Sequence, residues 1–383
     1  MSTEFSRTLE EVPPSGIRRF FDLVASSKDV ISLGVGEPDF VTPWCIREEA
    51  IASVEKGFTT YTSNSGLPEC RRAIATYLKT RFDCDYSPDT ELMITNGVSE
   101  GVDVTLRTLL NPGDEVILPE PNYVCYAPLI HLAGGTVISL DTSHTGFIPD
   151  PKALEACITP RTKALILCTP NNPTGAVIPK SIMIEIAKLA KKYDFWVISD
   201  EIYAELTYDE PFVSFAALPE VKERTILMNG FSKAFAMTGW RLGYLCAPQS
   251  FISRAIKIHQ YAALCAPIMS QYAGIEALQN PKIVEDMRRS YESRRNLFVK
   301  KLNTLGLPTA FPQGAFYCFP SIKKTGLTSE AFAMKLLEVA QVAVVPGSVF
   351  GQGGEGYIRC CYATDVGLLK EALNRIGSFI KTL

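Results

Sequence analysis

Lys233 lies in the run NGFSKAFAMTGWRLGY (229–244), among small and apolar residues, with Ser232 before it and Arg241 further along. A lysine amine partly withdrawn from water has a lowered pKa and becomes a neutral nucleophile toward an aldehyde. Arg241 offers a planar donor fork suited to a phosphate, and Ser232 adds a hydroxyl donor. In FWVISDEIY (195–203), Asp200 ends an apolar strand, the place where ligands gather in parallel sheets. A carboxylate there can hold a pyridine-type ring nitrogen protonated. Tyr203 follows on the emerging loop and can hydrogen-bond a phenolic oxygen of such a ring, and Asn172 in PNNPTG (170–175) can donate its amide to the same oxygen. TNGVSEG (95–101) runs from strand into helix, so the backbone N–H groups of Gly97, Val98 and Ser99 can form an anion site at a helix start. Taken singly, each feature has an ordinary structural explanation. Lys233 fits an exposed loop, Arg241 an ion pair, Asp200 a helix cap or ion pair, and Tyr203 a core aromatic. Turn chemistry accounts for Asn172 and helix capping for Ser99.

The elements that would position these residues are legible in the apolar pattern. ELMIT (91–95), EVILP (115–119), TVISL (136–140), KALILC (163–168), FWVISD (195–200), TILMN (225–229) and YLCAP (244–248) are strand-like. Several are apolar throughout, as strands covered on both faces require. Helical patterns such as SEGVDVTLRTLL (99–110) and KSIMIEIAKLAKKY (180–193) alternate with them. The expectation is an α/β fold whose large domain holds a mostly parallel sheet with helices on both sides. After about residue 280 a long charged helical stretch (282–306) gives way to AFYCF (315–319), a helical SEAFAMKLLEVA (329–340), VAVVP (342–346), YIRCCYA (357–363) and a terminal helix. That texture predicts a smaller α+β domain, which the early segment DVISLGVGEPDF (29–40) joins. The boundaries expected are 1–45 for an N-terminal arm and part of the small domain, 46–280 for the large domain and 281–383 for the rest of the small one.

Composition narrows the partners. With 38 Lys and Arg against 41 Asp and Glu, the formal charge of −3 supplies no basic field for nucleic acid. The 383 residues suffice for a large core, and 46% hydrophobic content argues against disorder. Eleven scattered cysteines without a Cys-x-x-Cys pair suit a reduced, cytoplasmic protein. The three histidines show no metal-ligand spacing. Acidic residues near the N-terminus do not suit a signal peptide, and no apolar run is long enough for a bilayer. GQGGEG (351–356) matches a dinucleotide-loop pattern, but it precedes a strand rather than opening a helix, so a flexible turn is expected.

Taken together, GEPDF (36–40), YTSNSGLPECRRAI (61–74), TNGVSEG, PNNPTG, SDEIY, SKAFAMTGWRLG, GAFY (314–317) and YIRCCYA resemble, in order and spacing, the fold-type-I pyridoxal-phosphate enzymes. Within them the match is to the class I/II aminotransferases of the aspartate and aromatic amino-acid type. The resemblance implies a large domain with a seven-stranded, mostly parallel sheet and pyridoxal 5'-phosphate as cofactor. It implies that Lys233 carries the cofactor as a Schiff base and shuttles the substrate proton. Asp200 would pair with the pyridinium nitrogen, Tyr203 and Asn172 with O3', and Tyr123 would stack on the ring. Val98, Ser99, Ser232 and Arg241 would hold the phosphate. Arg359, with the Gly36 backbone, would grip the substrate α-carboxylate, as an arginine in an apolar strand needs a partner. Tyr61 would reach the phosphate of a neighbouring subunit, which implies a homodimer with shared active sites. Two positions depart from the common pattern: Gly230 replaces a serine three residues before the lysine, and Cys361 stands where a serine is usual.

The leading expectation is ping-pong transamination from an L-amino acid to a 2-oxo acid such as 2-oxoglutarate. No second arginine for a distal carboxylate is evident, and a lining with Ile17, Tyr61 and aromatic residues around Phe316 favours aromatic or broad specificity. Aspartate, alanine and diaminopimelate-type donors stay open, as does a carbon–sulfur or cyclopropane-carboxylate lyase on the same fold. A cofactor-sensing regulator would need an added DNA-binding domain, for which the chain length leaves no room.

Overall fold

Runs of Val, Ile and Leu with no polar face are stable only as strands covered from both sides, and the centre of the chain folds accordingly. The structure is a computed structural model that describes residues 6–10, 12–14, 16 and 29–383. Its strands in chain order are β1 (Ile31–Ser32), β2 (Leu92–Thr95), β3 (Glu115–Glu120), β4 (Thr136–Asp141), β5 (Thr162–Cys168) and β6 (Trp196–Asp200). They continue with β7 (Thr225–Gly230), β8 (Gly243–Cys246), β9 (Tyr317–Cys318), β10 (Val342–Ala343), β11 (Val345–Pro346) and β12 (Ile358–Cys361). Strands β2 to β8 make one seven-stranded sheet in the order β2-β8-β7-β6-β5-β3-β4. Its pairings are parallel except at β8, which is antiparallel to both β7 and β2. Leu165, Ile198 and Ile226 in its middle strands have no exposed surface. Emptying one such position costs about 2–5 kcal/mol.

Each of the seven strand-like runs is a strand, with ends displaced by no more than two residues. The last stops early, at Cys246, because Pro248 has no N–H for a ladder and instead precedes the helix Gln249–Ala262. The helix Lys180–Tyr193 buries Met183, Ile186, Leu189 and Ala190 on one face and ends at Asp194 in the left-handed conformation. The charged stretch forms the helix Pro281–Thr304, which turns Val284, Met287, Tyr291 and Phe298 inward.

The chain ends meet: β1 pairs in parallel with β10, Ile31 opposite Val342. Beyond that ladder the Leu33 N–H donates to Ala343 O (2.8 Å) and the Cys361 N–H to Leu33 O (2.7 Å). VAVVP (342–346) forms two short strands. Its first half pairs with β1 and its second, after Val344, joins β12 in antiparallel fashion. GQGGEG is a turn, as expected, but not a loose one. Gly353 and Gly354 are buried, and the Gly353 N–H points to Glu120 Oε2 at 3.4 Å. Because β2 runs in the same direction as β7, the strands β2, β3, β5, β6 and β7 all deliver their carboxyl ends to one edge of the sheet.

Candidate active site

The loops at that edge enclose a cavity of about 330 Å³, walled in part by Val98, Tyr123, Asn172, Asp200, Lys233 and Arg359. Asp200 is the last residue of β6 and is 4% exposed. Burial pushes its carboxyl above the usual range, against hydrogen bonds from the Tyr126 hydroxyl (2.6 Å) and the Ile202 N–H (3.2 Å). Lys233 follows β7 and donates from Nζ to the Gly36 carbonyl at 2.7 Å. The Tyr203 and Phe316 rings each lie 5.9 Å from that nitrogen. Burial brings the amine down from 10.5 to about 8, with Glu37 opposing the shift. An amine in that range is partly neutral at physiological pH and can attack a carbonyl carbon.

Arg241 connects the turn Thr238–Trp240 to β8 through a left-handed backbone, φ 52°. Its guanidinium donates to the Thr238 carbonyl at 2.9 Å and lies 3.5 Å from the Asn96 carbonyl. This packing needs glycine nearby: a Cβ on Gly97 would stand 2.6 Å from Nη2, and one on Gly243 would stand 2.6 Å from the Gly97 carbonyl carbon. Asn96 precedes the helix Gly97–Leu109 without capping it through its side chain. The first-turn N–H groups, which no helix can satisfy internally, therefore stay open beside the guanidinium. Ser99 and Ser232 stand on the same wall. This corner can hold an anion through a helix N-terminus, a guanidinium and two hydroxyls.

On the opposite side Arg359, 2% exposed within β12, donates from Nη2 to the Gly34 carbonyl (2.6 Å) and from Nη1 to Asn172 Oδ1 (3.0 Å). The Tyr317 ring is 4.6 Å from the guanidinium carbon and the Phe350 ring 5.0 Å, while Nε is buried without a partner among the described residues. Tyr203 shares a 2.9 Å hydroxyl–hydroxyl contact with Tyr317, and Tyr123 stands edge-on to Tyr126.

The site residues singled out from the sequence line this cavity, apart from Gly97, Phe316, Tyr61 and Ile17. Tyr61 is 80% exposed and does not line it, and Ile17 falls outside the described residues. Of the aromatic residues around Phe316, the Tyr317 ring lines the cavity, while Phe316 itself is fully buried. At Gly230 a Cβ would stand 3.0 Å from Gly243 Cα and Leu242 O, so the strand β8 fills the space a side chain would use. The sequence gives no assignment for Tyr126, three residues after Tyr123, or for Tyr317, the last residue of GAFY. Only the path of the backbone brings Tyr126 to Asp200.

This architecture is that of fold-type-I pyridoxal-phosphate enzymes. The solved aromatic aminotransferase from Pyrococcus horikoshii OT3 superposes with a TM-score of 0.91 at 45% identity, covering 96% of this chain and 99% of that one. The family model for aminotransferase class I and II matches residues 28–376. YugH of Bacillus subtilis (strain 168) is 54% identical over 99% of both chains, and the aspartate aminotransferase of Pyrococcus abyssi (strain GE5 / Orsay) 46% identical over 98% of both. The chain belongs to the class I and II aminotransferases. It is an enzyme that transfers amino groups, in a family that uses pyridoxal 5'-phosphate.

Proposed function

We propose that this protein binds pyridoxal 5'-phosphate and moves the amino group of an L-amino acid, aromatic or broad in range, to a 2-oxo acid such as 2-oxoglutarate by a ping-pong cycle. One observation carries the reading: a partly desolvated amine, Lys233, and a buried carboxylate, Asp200, that accepts from the neutral Tyr126 hydroxyl and Ile202 N–H, occupy one cavity. The cavity suits the cofactor on its own terms. Asp200 is acceptor to Tyr126 and needs a cationic partner, which a protonated ring nitrogen provides. The corner at Arg241 has open donors for a phosphate, and Tyr123 offers a ring face along the wall. When bound, the cofactor supplies an aldehyde for the amine and a ring that withdraws electrons from the substrate Cα.

The chain's own residues then divide the work. Arg359 orients the substrate by its α-carboxylate, with Asn172 and the Gly34 carbonyl holding the guanidinium in place. The Gly36 backbone completes that side. Lys233 Nζ would take the proton from the substrate Cα and deliver it to C4' of the cofactor. Tyr203 and the amide of Asn172 fix the ring's phenolic oxygen, while Val98, Ser99, Ser232 and Arg241 retain the phosphate.

Lining tyrosines, and the absence from the described lining of a basic side chain beyond Lys233, Arg241 and Arg359, favour donors without a distal carboxylate. Aspartate is the second reading, because the Pyrococcus abyssi relative carries that name. Alanine and diaminopimelate-type donors are compatible with the same α-carboxylate clamp. The site is completed by Tyr61 of a second copy in a homodimer. Exposed Tyr61, Tyr261 and Leu264 support this, since the 61–64 segment is tied to the last of these by Asn64 Nδ2 (2.8 Å). The division at residues 45 and 280 is supported by the β1–β10 pairing and by the helix that starts at Pro281. All eleven cysteines are free, which supports a cytoplasmic location, and no described helix is long and apolar enough to cross a membrane.

Two measurements test the proposal. Borohydride reduction of the cofactor-saturated protein is expected to label Lys233 in peptide mapping, and a label elsewhere defeats the assignment. Amino acid plus 2-oxoglutarate is expected to yield glutamate. Ammonia and pyruvate formed without an oxo-acid acceptor would instead identify a lyase.

A further inference from the structure

Behind the anion corner, on the side away from the cavity, lies a second polar cluster. Asn96 caps nothing with its side chain, because its amide donates to Glu100 Oε2 at 3.1 Å and its backbone N–H to the same oxygen at 2.5 Å. Glu100 Oε1 is 2.8 Å from Nδ1 of His259, a residue with no exposed surface in the last turn of the helix Gln249–Ala262. Since a carboxylate oxygen accepts, Nδ1 carries the hydrogen. Nε2 of the same ring is buried and has no partner among the described residues.

This arrangement inverts a familiar device. In a capping box the glutamate reaches back to the N-cap backbone while the N-cap side chain covers the first-turn N–H groups. Here the glutamate takes both the backbone and the side chain of the N-cap residue, so the first turn is left uncovered on the cavity side. The same residue, Asn96, offers its carbonyl to Arg241. One turn thus connects His259, through Glu100, to the guanidinium of the corner.

We infer that Glu100 and His259 are positioning residues for phosphate recognition: they lock Asn96 away from the helix start and hold its carbonyl against Arg241. The inference rests on the reading of the Arg241 corner as the phosphate site. Neither side chain touches the ligand; each acts through Asn96. The selectivity it predicts concerns the phosphate alone, since the ring and aldehyde are met by Asp200 at the end of β6 and by Lys233 after β7.

The test compares full-length apoprotein titrated with pyridoxal 5'-phosphate and with pyridoxal, followed by absorbance. In Glu100→Ala the preference for the phosphorylated form is expected to fall about tenfold, the scale of one lost charge-assisted hydrogen bond, with pyridoxal affinity unchanged. Glu100→Gln keeps an acceptor for Asn96 and is expected to retain most of the preference. His259→Phe keeps ring volume, removes the donor to Glu100 and carries the same expectation as Glu100→Ala, so the test survives if that variant does not fold. Arg241→Ala is the reference arm. If it leaves the preference intact, the phosphate reading itself fails. If it abolishes the preference while Glu100→Ala and His259→Phe leave it at the wild-type value, or weaken both ligands equally, the positioning role is overturned.

Discussion

The Tyr126 hydroxyl donates to Oδ2 of Asp200 at 2.6 Å, and the two residues are 1% and 4% exposed. A buried carboxylate gains little from water, so each donor it retains counts for more than at a surface. Asp200→Ala is expected to lower kcat/KM by roughly 10²–10³-fold, as loss of an electrostatic group at the reacting centre does. Tyr126→Phe removes one donor and should cost about tenfold. Single-turnover rates of the amino-acid half-reaction check both, and a Tyr126→Phe loss as large as that of Asp200→Ala would contradict the hierarchy.

Lys233 titrates low because burial disfavours its charged form, with a pKa of about 8 against 10.5 for a free side chain. Between those values the unfolded chain binds a proton that the folded apoprotein does not, so this group's contribution to stability rises with pH across the window. It is lost as pH falls through about 8. The stability difference between wild-type apoprotein and Lys233→Met, followed by urea unfolding, should therefore shift in favour of wild type from pH 8 toward pH 10. A flat difference would mean the amine is not desolvated.

Gly243 lies against the start of the helix Gly97–Leu109, where an added Cβ would come within 2.6 Å of the Gly97 carbonyl carbon and 2.7 Å of the Val98 nitrogen. Both obstacles are backbone, so the helix start must move. Gly243→Ala is expected to destabilise by about 1–3 kcal/mol and to weaken cofactor retention. Thermal unfolding with and without added pyridoxal 5'-phosphate measures the two effects, and unchanged values in both would show the helix start to be free to shift.

Arg359 binds two fixed acceptors, the Gly34 carbonyl and Asn172 Oδ1, with a planar fork that lysine cannot reproduce. Arg359→Lys should therefore lower kcat/KM for amino acids by roughly 100-fold, the cost of a misplaced charge-assisted contact. Primary amines that lack an α-carboxylate should be turned over at the wild-type rate. An equal loss for both substrate types would assign Arg359 to the architecture rather than to carboxylate recognition.

Much of the site was readable because its groups sit in short local patterns. Asp200 ends an apolar run, Lys233 follows another within a segment of small and apolar residues, and Ser99 stands where a strand gives way to a helix. Period and composition report such local geometry directly. The VAVVP run marks where such local pattern stops. Its five residues look alike, and nothing local tells Val342 from Val345, whose partners β1 and β12 come from opposite ends of the chain. Tyr61 carries the complementary lesson: a single chain leaves it 80% exposed, so the role proposed for it requires a second copy.

The amino-acid sequence by itself determined the strand and helix alternation, the choice of candidate site residues and the membership of the family, since these depend on residue type and spacing. The tertiary structure decided which groups hold one another. Tyr126 finds Asp200, Arg359 finds Gly34, and His259 finds Glu100 across separations of 74, 325 and 159 residues. Such contacts follow from how strands are ordered in the sheet and where the chain ends meet, and no local period encodes either.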